Sequence, residues 1–118
     1  MHILNQMVQY QGQLDRTFAA LSDPTRRGIL ERLGRGRATI SELAEPFGIS
    51  LTGLKKHVQV LEEADLVRTE KVGRTRWCTL GPYDLTEVQR WILGYRLMLD
   101  ERLDRLGELL EGTKGQQS

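Results

Sequence analysis

Lys55, Lys56 and Gln59 stand in the stretch "LTGLKKHVQVLEEADLV", residues 51 to 67, with Glu62 and Glu63 held back until later in the same run. At about 100° per residue on a helix, Thr52, Lys55, Lys56 and Gln59 share one face, and Leu54, Val58 and Leu61 share the opposite one. The first face combines cations, an amide and a hydroxyl with no carboxylate among them. Such a set suits a surface that meets phosphates and base edges. Lysine pairs with phosphate or with the acceptors of guanine, and glutamine offers adenine a donor and an acceptor together. A helix that enters a groove by its amino end has left the nucleic acid by the point where the glutamates stand. A solvated amphipathic helix would share the apolar spacing, and on this segment alone the two readings stand level. His57 lies on the flank of the apolar face, open either to a half-buried structural role or to a phosphate contact.

A second basic group follows in "LVRTEKVGRTRWCTL", where Val, Thr and Trp flank Gly73. This composition predicts two strands around a tight turn, with Lys71, Arg74 and Arg76 near its tip. A basic hairpin placed after a basic-faced helix is what a wing needs to reach along a nucleic-acid backbone. Hairpin tips are commonly polar, so the order of the parts says more than the arginines alone.

These side chains need a frame, and the rest of the sequence supplies one. Leu14, Phe18 and Leu21 recur at helical spacing, with Ile3, Leu4, Met7 and Val8 as an apolar lead-in and Gly12 as a break point. In "SDPTRRGILERLGRG", Asp23 and Pro24 read as N-cap and first helical residue, Ile29, Leu30 and Leu33 face inward, and Gly34 and Gly36 close the helix. Thr39 and Glu42 have the spacing of a capping box. Ile40, Leu43, Ala44 and Phe47 form the stripe of a short helix that Pro46 and Gly48 terminate. Ser50 caps the next helix, which is expected to run to about Asp65. Two short helices joined by a glycine-bearing turn form a helix-turn-helix. Asp84 and Glu87 repeat the capping spacing ahead of Leu85, Val88, Ile92, Tyr95 and Leu99, so a last helix is expected over 84–111.

The 118 residues fit one domain, expected over 1–112, with "GTKGQQS" at its end supplying a tail over 113–118 that has nothing to bury. A formal net charge of +1 selects no partner, although the distribution is uneven. Up to Tyr83 there are 12 Lys or Arg against 9 Asp or Glu, and from Asp84 onward 5 against 7. Cys78 is the single cysteine, which excludes a disulfide frame or a cysteine cluster and suits a reducing compartment. No apolar run approaches a membrane span, and the amino end lacks the layout of a signal peptide. A cytoplasmic protein is the expectation. No glycine-rich phosphate loop or nucleophile motif is present, so neither catalysis nor a cofactor is expected.

Four stretches, "LDRTFAALSDPTRRGILERL", "ISELAEPFGIS", "GLKKHVQVLEEADLV" and "VGRTRWCTL", resemble the ArsR/SmtB family of bacterial winged-helix transcription regulators over nearly all of residues 14–80. The resemblance implies a mainly α fold with a minor β part: a winged helix-turn-helix of about five helices with a two-stranded hairpin wing. It implies a homodimeric repressor that binds duplex DNA, with the first and last helices making the dimer. It places Ser50, Leu51, Thr52, Gly53, Lys55, Lys56, His57 and Gln59 on the recognition helix and Lys71, Arg74 and Arg76 on the wing. The expected dimer surface is Ile3, Met7, Leu14, Phe18, Leu85, Val88, Ile92, Tyr95 and Leu99. Metal-sensing relatives carry cysteines before the recognition helix, or His and carboxylates on the last helix. This chain has "SELAEPFG" at the first place and no histidine after His57, so no metal is expected. The effector is not legible. A winged-helix protein-interaction module without DNA binding is the alternative function.

Overall fold

The computed structural model describes the backbone of residues 2–116 and the side chains of residues 11–112. The chain divides into two units, Met1–Leu85 and Thr86–Ser118.

The first unit opens with α1 (His2–Leu21), which runs through Gly12 without a break. A lone glycine costs a helix about 1 kcal/mol, which tertiary anchoring readily offsets. Here Thr17 and Ala20 are fully buried, and the Gln13 amide donates to the Ala64 carbonyl at 3.0 Å. Helix α2 (Pro24–Leu33) starts as its sequence predicts: Asp23 is extended and its carboxylate accepts from the Arg26 amide at 3.1 Å. Ile29 and Leu33 are buried on its inner face.

The corner between these helices explains "SDPTRR". Arg26 donates from Nε to the Ala20 carbonyl and from Nη2 to that of Ala19, while Arg27 donates to that of Leu21. Carbonyls at a helix end have no intrahelical partner, and two guanidinium groups supply one while complementing the negative end of the dipole.

Strand β1 (Ala38–Thr39) leads into α3 (Ile40–Ala44), whose capping box is formed: the Glu42 amide donates to Thr39 Oγ1 at 3.1 Å, and the Thr39 amide to Glu42 Oε2 at 3.4 Å. Pro46 sits in a 3₁₀ turn over Glu45–Phe47, and Gly48 at φ 62° ends it. Helix α4 (Leu51–Glu63) follows, two residues shorter than expected at its carboxyl end. Asp65 adopts φ 58°, and the Leu66 amide reaches back to the Leu61 carbonyl at 3.0 Å. This reversal is a Schellman motif, with aspartate in the place glycine usually takes.

Strands β2 (Val67–Val72) and β3 (Thr75–Leu80) form the hairpin. The sheet differs from the expected two strands: β1 pairs antiparallel with β3, matching Ala38 with Cys78 and Thr39 with Trp77, to give the order β1-β3-β2. Ile29, Leu43, Leu54, Val58, Leu61, Val67 and Cys78 belong to one core beneath α4 and the sheet.

The second unit is α5 (Thr86–Gln116), 31 residues long. It begins two residues after the expected start, because Leu85 takes φ 65° and packs partly buried on the core of the first unit. Leu85 is therefore a core anchor of that unit and not the first member of the helical stripe. At its other end the helix runs to Gln116, past the expected end at 111 and through most of the expected tail, whose last two residues lie outside the described backbone.

Candidate nucleic-acid interface

Ser50 fixes where α4 begins, its hydroxyl accepting from the Gly53 amide at 3.0 Å. The phase of the helix follows from its apolar residues: Leu54, Val58 and Leu61 are buried. Thr52, Lys55, Lys56 and Gln59 consequently point outward, all exposed, with Ser50 and Leu51 exposed at the amino end and Gly53 half-buried. The Gln59 amide lies 3.5 Å from the Glu63 carboxylate, a weak contact that leaves its acceptor oxygen uncommitted.

The register of the hairpin decides which wing residues join this face. Val72 pairs with Thr75, so Gly73 and Arg74 make a two-residue turn, and Gly73 holds φ 64° at its first central position. That is the place where a type II′ hairpin turn requires glycine. Lys71 stands directly opposite Arg76, and Thr69 opposite Cys78. Side chains alternate along a strand, so Arg76 shares the face of buried Cys78, which is the face turned to α4. Arg76 also donates to Thr69 Oγ1 at 2.9 Å.

Helix and wing then enclose one groove of about 550 Å³, lined by Thr39, Ile40, Ser41, Leu51, Lys55, Lys71, Arg74, Thr75 and Arg76. Lys55, Lys71, Arg74 and Arg76 converge on it, and among the described residues no carboxylate lines it. Like charges directly opposite in a ladder are unfavourable in isolation, and Lys71 and Arg76 form such a pair. Thr39 and Ser41 are wall residues that sequence reasoning missed. The local signal of Thr39 was a helix cap and Ser41 carried none, and the place of Thr39 beside the wing arises only when β1 pairs with β3.

His57 is placed apart from this groove. Its Nδ1 is 3.3 Å from Arg26 Nη1 and 3.8 Å from the Asp23 carboxylate, and its side chain is 26% exposed. The Arg26 amide that Asp23 accepts from holds this carboxyl below the usual carboxylate range. Desolvation acts against the shift, and the Arg26 charge reinforces it. On the outer face of the sheet, the Arg37 guanidinium lies 4.2 Å from the centroid of the Trp77 ring. Cys78 is fully buried. Burial, together with the Glu62 charge, pushes its thiol up to about 11, against an opposing influence of Arg76.

Among the expected dimer residues, Ile92, Tyr95 and Leu99 are exposed on α5, Phe18 is 36% exposed on α1, and Leu14 is half-buried. Val88 is buried, and Leu85 packs partly buried on the core of the first unit. The side chains of Ile3 and Met7 lie outside the described residues. Among the described residues, no three His, Cys, Asp or Glu are grouped so that they could hold a metal ion.

Residues 21–70 match the helix-turn-helix domain family. The chain is 32% identical over 82 residues to the transcriptional repressor SdpR of Bacillus subtilis, covering 70% of this chain and 91% of that one. It is 35% identical over 98 residues to the HTH-type transcriptional regulator Rv2034 of Mycobacterium tuberculosis, covering 76% of this chain and 92% of the relative. Among solved structures, an ArsR family transcriptional regulator is 42% identical, superposes with a TM-score of 0.70, and covers 76% of this chain and 93% of its own.

Proposed function

Because this chain belongs to the ArsR/SmtB family of winged helix-turn-helix transcriptional regulators, we propose that it represses transcription as a homodimer, binding an inverted repeat in cytoplasmic duplex DNA. The observation that carries this reading is the meeting of Lys55 with Lys71, Arg74 and Arg76 in one groove, with no carboxylate lining it among the described residues. The outward face of α4 enters the major groove, with Lys55 and Gln59 reading base edges and Lys56 working through phosphate. The wing follows the backbone with Lys71, Arg74 and Arg76. Ser50, Leu51, Thr52 and Gly53 form the leading end of the helix. The chain acts without a metal or cofactor and is not an enzyme.

The test is selection of bound fragments from the source genome, followed by titration of the preferred site at several salt concentrations. Arg74→Ala is expected to weaken all duplexes alike and to reduce the slope of log affinity against log salt by about one phosphate contact. An unaltered slope removes Arg74 from the interface. No salt-dependent binding to any duplex favours a protein-interaction module instead.

A further inference from the structure

We infer that His57, although it is carried by the recognition helix, does not meet DNA and acts as a positioning residue that locks α4 to the α1–α2 corner through Arg26. The inference rests on the DNA-binding reading and adds a device that sets the pose of the reading helix. Arg26 is the hub of the corner. Its Nε and Nη2 hold the carbonyls of Ala20 and Ala19 at 2.8 and 2.7 Å, its amide is taken by Asp23 at 3.1 Å, and Nη1 is left to point at His57 Nδ1 at 3.3 Å. With two nitrogens committed to the end of α1, the guanidinium has little freedom to follow a moving partner.

A guanidinium only donates, so in this contact His57 Nδ1 is the acceptor, which requires the neutral ring with its proton on Nε2. The contact fixes tautomer and ring orientation together. Asp23, 3.8 Å from the same nitrogen, stands beyond hydrogen-bond distance but keeps the local field from becoming wholly cationic. His57 sits one position after Lys56 and two before Gln59 on the same helix. A rotation of α4 that released His57 from Arg26 would therefore carry Lys55 away from its direction into the groove and turn the exposed Gln59 with it.

The experiment uses the full chain and its selected operator, with Arg26→Gln, His57→Ala, His57→Gln, His57→Lys and the double variant Arg26→Gln/His57→Ala. Thermal unfolding of each is recorded beside operator affinity and salt slope. Ring nitrogen shifts are measured by NMR on the free parent, where a protonated Nε2 and an accepting Nδ1 are expected. His57→Ala should weaken the operator up to about tenfold, the size of one net hydrogen bond, with the salt slope unchanged. Arg26→Gln/His57→Ala should lose no more than the larger single loss. His57→Gln, which restores an uncharged acceptor, should recover most of the affinity, and His57→Lys should not.

A reduced salt slope in His57→Ala that is restored in His57→Lys would show a direct phosphate contact and overturn the role. So would single losses that simply add, or a free ring protonated on Nδ1 alone. If the parent binds no duplex at all, the regulator reading itself fails. That outcome is distinct from failure of the lock, where the parent binds and only the coupling is missing.

Discussion

Lys71 and Arg76 face each other across the ladder, and Lys55 and Arg74 join them in the groove. Four cations lining one groove favour a polyanion there, although Glu62 lines the adjoining cavity beside Lys55 and Arg76. Gln59 differs from its neighbours because it is neutral and carries a paired donor and acceptor. Replacing it with alanine is expected to cost roughly 1–3 kcal/mol on the preferred site and to relax selection at one base pair, read from binding to a site library. A specificity profile identical to the parent would remove Gln59 as a reader. Cys78 illustrates the opposite case, a reactive side chain made inert. Its folded pKa of about 11 is raised from 9.0, so its contribution to stability is complete below pH 9 and is lost as pH rises toward 11. Cys78→Ala should therefore show a shallower loss of stability over that window in denaturant titrations. Equal slopes would mean the thiol titrates alike in both states.

At the scale of elements, the caps were legible because each is decided within a few residues. Asp23 with Arg26, Thr39 with Glu42, and Ser50 with Gly53 all form the bonds their spacing predicts. What depends on distant partners was not. Strand β1 has two residues and no pattern of its own, existing because Cys78 and Trp77 pair with it. The spacing of Asp84 and Glu87 imitates a capping box, yet α5 starts at Thr86 because the preceding segment is held to the corner after α4. The Gly81 amide donates to the Leu66 carbonyl at 2.8 Å and the Tyr83 amide to that of Asp65 at 3.2 Å. This approach leaves no room at Gly81, where an added Cβ would overlap the Asp65 carbonyl oxygen and lie 2.9 Å from its carbon. Gly81→Ala is expected to destabilise the chain by about 1–3 kcal/mol, since the obstruction is backbone and cannot swing aside. A melting temperature within error of the parent would show that the corner opens at little cost.

At the scale of the whole molecule, α5 holds far more apolar surface than a solvated helix needs. Trp91, Ile92, Tyr95, Leu99, Leu103, Leu106 and Leu110 recur at intervals of one, three or four on one face, and all are at least 38% exposed. The Trp91 and Tyr95 rings stack on that face with centroids 5.7 Å apart. A continuous patch of this kind on a monomer marks an interaction site or an aggregation hazard. A second copy of the chain would cover it by symmetry and would also extend what one short helix can read. Two recognition helices related by a two-fold axis address half-sites about 34 Å apart, which is one turn of duplex. The parent is therefore expected to sediment as a dimer and to prefer an inverted repeat. Ile92→Glu or Leu99→Glu should yield a folded monomer by burying no new charge within the chain, while leaving every groove residue in place. Operator affinity should nevertheless drop sharply, because each half-site must then be bound without the help of the other. Sedimentation and operator titration on the same sample decide the matter. A folded monomeric variant that holds its operator as tightly as the parent would separate dimerisation from recognition.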